Sequence, residues 1–241
     1  MLAVVLSMTP RYGKILASEE GYMAANSNQE SWVTKERMVS EHLIARGIRD
    51  KAVLRAMREV PRESFLPPEM ERFAYDDGPL PIEAGQTISQ PYIVAYMIEA
   101  LELQGAERVL EIGTGSGYAA AVLSRCAAEV FTVERITSLA ESARSRLQAL
   151  AFRNVLVHLG DGTLGWPEHA PYHGIVVTAG APELPGALLS QLAPEGRLVI
   201  PVGPTQHLQT LVRVRRVGEN DFRREELCPV RFVPLIGEQG W

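Results

Sequence analysis

The sequence predicts an α/β protein with a mainly parallel sheet covered by helices on both faces. An N-terminal helical subdomain precedes the sheet and an antiparallel hairpin completes it. Three observations carry this reading. From residue 108 onward, short apolar runs alternate with helical stretches. Glycine-containing loops follow the first and third of those runs, where the chain must turn off a strand end. Beyond Gly203, two strand-like stretches follow one another with no helix between them. The 241 residues are 46% hydrophobic, which suffices for one sizeable core with a small appended subdomain.

Residues 1–34 read as a flexible extension, since the polar run Asn26-Ser27-Asn28-Gln29 offers nothing to pack. A helix is expected from about Thr34. Met38, His42 and Ala45 share one of its faces, as do Val39 and Leu43, and Arg46-Gly47 marks its end. Asp50 is placed to cap a second helix with Val53, Met57 and Val60 inward, stopped by Pro61. The pair has the outline of a helix-turn-helix, but its second helix lacks a run of base-reading polar residues. Residues 61–90 hold Pro67-Pro68, Gly78-Pro79-Leu80-Pro81 and Gly85, and read as a domain junction or as a long ordered loop of the kind that carries function. Pro91 suits the first turn of a helix reaching about Leu103. Strands are expected at Arg108 to Ile112, Glu129 to Glu134, Val155 to Leu159, Ile175 to Thr178 and Arg197 to Pro201. Helices are expected at Ser138 to Leu150 and Glu183 to Leu192. Leu208 to Val217 and Cys228 to Val233 form the closing hairpin, with Gly218-Glu219-Asn220-Asp221 at its turn and Arg213, Arg215 and Arg216 on a solvated face.

Several function classes drop out. The net charge is −5 and no polybasic run is present, which argues against a nucleic-acid partner. Two cysteines, Cys126 and Cys228, imply no disulfide framework and suit a reducing, cytoplasmic compartment. No apolar run reaches the roughly 18 residues of a membrane span, and the apolar start at Met1 to Met8 lacks the positive charge of a secretory leader. His158, His169, His173 and the cysteines show no metal-ligand spacing, so no metal is expected.

The chemistry gathers around Glu111-Ile112-Gly113-Thr114-Gly115-Ser116-Gly117, between a strand and a helix. A helix start with free N–H groups and glycine backbone lets a small ligand approach closely. The spacing fits a dinucleotide fingerprint poorly, because Tyr118 falls where its last glycine or alanine belongs. An acid followed by glycines at Gly113, Gly115 and Gly117 instead resembles the S-adenosylmethionine (AdoMet) site of Rossmann-like methyltransferases. Glu134 ends the second strand, where an acid can accept from both ribose hydroxyls; otherwise it is a surface acid opening the next helix. Asp161 follows the third strand and can accept from an adenine amino group; otherwise it is a turn residue beside Gly162. After the fourth strand stands Thr178-Ala179-Gly180-Ala181-Pro182 rather than the Asn/Asp-Pro-Pro-aromatic motif of nucleic-acid amino methyltransferases, and no cysteine sits where a 5-methylcytosine enzyme would place its nucleophile.

The chain as a whole resembles the protein-L-isoaspartate O-methyltransferases. Gly85-Gln86-Thr87-Ile88-Ser89-Gln90-Pro91 matches that family's most distinctive motif. Leu110 to Tyr118, Gly160-Asp161-Gly162, Pro194 to Gly203 and Arg231-Phe232-Val233-Pro234-Leu235 match its later blocks. The resemblance covers roughly Met38 to Leu235, and departs from the pattern at His173, where the family generally has Asp. It implies a Rossmann-like AdoMet-dependent methyltransferase fold. Residues 35–90 then form the helical subdomain and active-site loop, and residues 91–241 the AdoMet-binding domain with its C-terminal strands.

The resemblance also implies the reaction. A methyl passes from AdoMet, leaving S-adenosyl-L-homocysteine, to the free α-carboxylate of an L-isoaspartyl residue. Damaged proteins and peptides are therefore the partners. The ester collapses to a succinimide without the enzyme, and hydrolysis restores some normal aspartate. Ser89 falls at the family's active-site serine, although locally it serves equally well to start the Pro91 helix. Gln86, Thr87, Ser89, Glu111, Gly113, Gly115, Gly117, Glu134, Asp161 and Gly162 are the expected cofactor contacts, and Thr87, Ser89, Val233 and Leu235 the expected substrate contacts. The competing readings are an AdoMet enzyme for a small molecule or RNA, and a non-catalytic AdoMet-binding module.

Overall fold

The computed structural model describes residues 33–205 and 207–241. The expected flexible extension thus lies, up to residue 32, outside the described residues. Helical backbone at 33–37 runs into a π-helical turn, Met38–Leu43, and a 3-10 turn, Ile44–Arg46. The expected α-helical face through Ala45 does not form. The wider π turn brings Met38 and Leu43, five residues apart, into the core with Val39, and Ala45 stays exposed. Helix α1, Lys51–Glu59, starts as its sequence predicts. Asp50 accepts from the N–H groups of Ala52 and Val53 at 2.7 and 3.0 Å, and Val53, Ala56 and Met57 are buried. The proline-rich loop folds into 3-10 turns at Arg62–Phe65, Pro68–Phe73 and Glu83–Gly85 and into two short antiparallel strands. These are β1, Leu80–Pro81, and β2, Thr87–Ile88. Helix α2, Pro91–Glu99, follows. It stops short of Leu103, because the chain turns there with Glu102 at φ 52°.

The main sheet has seven strands: β3, Arg108–Ile112; β4, Glu129–Glu134; β5, Val155–Leu159; β6, Tyr172–Val177; β7, Leu192–Thr205; β8, Leu208–Arg216; and β9, Phe222–Val230. Their spatial order is β5-β4-β3-β6-β7-β8-β9, parallel from β5 through β7 and antiparallel for the last two pairings. The order reverses at β3, which has β4 on one side and β6 on the other. A crevice therefore opens at the carboxyl ends of β3 and β6. Helices α3, Tyr118–Leu123, α4, Thr137–Ala149, and α5, Gly186–Ser190, complete the crossovers. Successive β3 residues point to opposite faces. Val109 packs in the layer that contains Met57, Phe65 and Tyr118, while Leu110 and Ile112 pack with Phe131, Val177 and Leu198.

The last strand departs from expectation. It runs six residues earlier than Cys228 and ends before Arg231. The run Arg223-Arg224-Glu225-Glu226 lies outside the expected strand, yet it pairs in register with β8. β9 is an edge strand, and charges there are what keeps an edge from recruiting other chains. Among the described residues no helix is long and apolar enough to cross a membrane.

Candidate active site

The glycine loop leaves β3 at Ile112. Gly113 takes φ 96°, and a Cβ there would lie 2.4 Å from Thr178 Oγ1. The Thr178 hydroxyl lies near two carbonyl oxygens, those of Ile112 and Gly113, at 3.0 and 2.8 Å. Thr178, just past β6, thus latches that strand end onto the loop. Gly117, at φ 92°, is the N-cap of α3, and α4 packs behind it through Ala143 and Leu147. Neither position tolerates a side chain without strain.

Two acids flank the loop with different environments. Glu134 is 6% exposed, and its two oxygens accept from the N–H groups of Gly115 and Ile136, each at 2.9 Å. A carboxylate oxygen keeps a second lone pair, so both can still accept from a ligand hydroxyl. Glu111 is fully buried. Its Oε2 accepts from the Thr132 hydroxyl at 2.5 Å, which in turn lies 2.7 Å from Thr114 Oγ1. Its Oε1 has no partner among the described residues. Burial pushes the Glu111 carboxyl up to about 8, against the pull of the Thr132 hydrogen bond.

Two openings meet at the strand ends. A cavity of 290 Å³ is lined by Gln86, Thr87, Gly113, Gly115, Glu134 and Gly162, with apolar walls that include Ile112, Val133, Ile136 and Leu235. A wider cleft of 910 Å³ holds Ser89, Gln90, Tyr92, Tyr96 and the strand-end residues Val230 to Pro234. Thr87, Thr178, Val233 and Pro234 line both. Ser89 is placed on the cleft side only. It makes no capping bond: the N-cap of α2 is Gln90, whose own side chain makes no capping hydrogen bond. Glu111 and Gly117 line neither opening and support the loop from behind.

Asp161 faces a neighbouring cavity of 340 Å³ that shares Arg135 and Ile236 with the first. Its Oδ1 accepts from the Thr163 N–H and hydroxyl at 2.9 and 2.7 Å, and its Oδ2 from the Glu238 N–H at 2.8 Å. Burial works to raise its pKa, but the hydrogen bonds from Glu238 and Thr163 outweigh it and hold the carboxyl below its ordinary value. The C-terminal segment is anchored a second time at Gly180. The Gly180 N–H donates to Val233 O, and the N–H of Leu235 and the Trp241 indole donate to Gly180 O, at 2.8 to 2.9 Å. Gln209 clasps Phe232 through both its amide atoms, at 3.1 and 2.8 Å. Thr178, Gln209 and the Tyr92–Tyr96 pair were not singled out from the sequence. Only the strand-end position of Thr178 gave any signal.

Strand order, glycine loop and strand-end acid put this chain among the Rossmann-like, AdoMet-dependent methyltransferases. More narrowly, it belongs to the protein-L-isoaspartate(D-aspartate) O-methyltransferase family, whose model matches residues 33–240. The protein-L-isoaspartate O-methyltransferase 1 of Geotalea uraniireducens is 69% identical over 207 residues, covering 86% of this chain and 94% of the relative. The corresponding enzyme 2 of Pelobacter propionicus is 65% identical over 214 residues, covering 89% and 94%. Among solved structures, a protein-L-isoaspartate O-methyltransferase matches with a TM-score of 0.77 at 31% identity, over 86% of this chain and 67% of that one. A Plasmodium falciparum protein solved with S-adenosyl-L-homocysteine shares the fold, with a TM-score of 0.70 at 24% identity over 86% and 98% of the two chains.

Proposed function

We propose that this chain is a protein-repair enzyme that methylates the free α-carboxylate of L-isoaspartyl residues in damaged proteins and peptides, using AdoMet. One observation carries the reading: a narrow cavity and a wide cleft share a wall at Thr87, Thr178, Val233 and Pro234. A small donor on one side and a peptide on the other would meet there. The narrow cavity suits AdoMet chemically, with apolar walls for a flat ring, glycine backbone for close approach and one carboxylate to accept from a diol. Bound AdoMet supplies an electrophilic methyl on a sulfonium.

The chain's own residues do the rest. Glu134, Gly113, Gly115, Gly162, Gln86 and Thr87 hold the cofactor, and Glu111 keeps the loop in shape behind them. Asp161 acts through the C-terminal segment it anchors. Ser89 and Thr87 orient the acceptor carboxylate, and the segment around Val233, which borders the wide cleft, takes the peptide in extended form, while Leu235 walls the cofactor side. The acceptor, with an ordinary pKa near 4, is already ionised at pH 7, so no general base is required. Alignment of the two reactants is the main contribution, worth up to roughly 7–11 kcal/mol in favourable cases. Free Cys126 and Cys228 fit a cytoplasmic setting, with neither nucleic acid nor membrane as partner. The test is transfer of labelled methyl from AdoMet to an isoaspartyl peptide, followed by mild alkali. A carboxyl methyl ester releases its label as methanol, whereas label that survives alkali contradicts carboxylate methylation.

A further inference from the structure

We infer that the wide cleft selects isoaspartyl sites flanked by acidic residues and discriminates against sites flanked by lysine or arginine. This deepens the proposed function and rests on it. The whole chain carries a net charge of −5. Yet among the described residues that line the 910 Å³ cleft there is no Asp or Glu, while Arg46, Arg231 and His207 are present. An acid-free basin in an acidic protein is a local reversal of potential at the place a peptide must enter.

The two arginines are held differently. Arg46 lies over the Tyr92 ring, 3.6 Å from its centroid, and Tyr92 stacks on Tyr96 at 5.8 Å with 8° between the planes. Arg46 also pairs with Asp77 at 3.1 Å, and Asp77 accepts from Gln90 Nε2 at 2.8 Å. Arg46 is thus fixed in place and partly neutralised, and its stack gives the cleft a rigid aromatic wall next to Ser89. Arg231 is exposed and has no ion pair or hydrogen bond among the described residues. It stands two residues before Val233, on the segment that Gln209 and Gly180 hold in extended form. Its charge is therefore available to a side chain of the incoming peptide. A guanidinium can take a carboxylate with two parallel hydrogen bonds, and it repels an ammonium or another guanidinium.

Three matched isoaspartyl peptides test this, with Glu, Gln or Lys on both sides of the damaged residue. The expected order of kcat/KM is Glu, then Gln, then Lys, with a Glu-to-Lys ratio of roughly fivefold or more, the size that exposed ion pairs reach. That ratio should shrink towards one at 0.5 M salt. Arg231→Glu should invert the order, and Arg46→Gln should reduce the ratio without inverting it. Both variants are judged by the ratio, so a general loss of activity does not blur the result. Equal kcat/KM for all three peptides, or an unchanged ratio in Arg231→Glu, would overturn the inference and leave the repair reading standing. Failure of all three peptides to accept methyl would overturn both.

Discussion

Glu111 offers a quantitative test of how the glycine loop is supported. Its carboxyl is fully buried and pushed up from an ordinary 4.5 to about 8, chiefly by burial. The native state therefore binds a proton that the unfolded chain releases between pH 4.5 and about 8. Stability attributable to this group is fully present below pH 4.5 and is lost as pH rises through 8. At about 1.4 kcal/mol per pH unit, the span corresponds to on the order of 5 kcal/mol. Glu111→Gln removes the titration and keeps an oxygen for Thr132. It also places an amide NH₂ where Glu111 Oε1 lacks a partner among the described residues, a cost of about 1–3 kcal/mol. The variant should thus be less stable than the parent at pH 5 and more stable at pH 8.5. Asp161, whose pKa is lowered, loses its contribution only as pH falls below about 4, outside this window. Denaturant unfolding at pH 5, 7 and 8.5 reads the crossover. Parallel stability curves for the two proteins would refute the account of Glu111.

Other substitutions separate cofactor from substrate roles. Glu134→Ala should weaken AdoMet binding at least tenfold by calorimetry, and unchanged affinity would remove Glu134 from the cavity's chemistry. Asp161→Ala should weaken AdoMet binding and also lower the melting temperature, because Thr163 and the Glu238 N–H lose their acceptor; intact stability would contradict the anchoring role. Deleting Pro234 to Trp241 removes the Asp161 anchor and the two hydrogen bonds that Leu235 and Trp241 give to Gly180 O, and should raise the peptide KM and loosen AdoMet binding together; wild-type peptide kinetics would rule the segment out. Ser89→Ala should lower kcat about tenfold or more with melting temperature and AdoMet affinity held, and a loss of activity only in step with unfolding would return Ser89 to a structural role.

The fold was legible because its β-α alternation is written in apolar runs, and the strands β3, β4 and β5 run between the residues that their sequence marks. What escaped depended on partners distant in sequence. The first six residues of β9 fall outside the expected strand because their charges suit an edge, and only pairing with β8 makes them strand. The turn at Met38–Leu43 is π-helical because Met38 and Leu43 are both drawn into the core, a packing demand with no local signature. The glycine loop and Glu134 could be read from spacing alone. Thr178 could not, since its role arises from a latch across 65 residues to Gly113. Asp161 reads as a ligand contact; spacing cannot show that its oxygens also accept from Thr163 and from Glu238 at the far end of the chain.

The central claim concerns which carboxylate is methylated. Two peptides of identical sequence, one with L-isoaspartate and one with L-aspartate at the same position, isolate it. The account predicts saturable methylation of the isoaspartyl peptide and, at equal concentration and pH 7, none above background for the aspartyl peptide. Comparable kcat/KM for the two, or turnover of neither while AdoMet binds tightly, would contradict it.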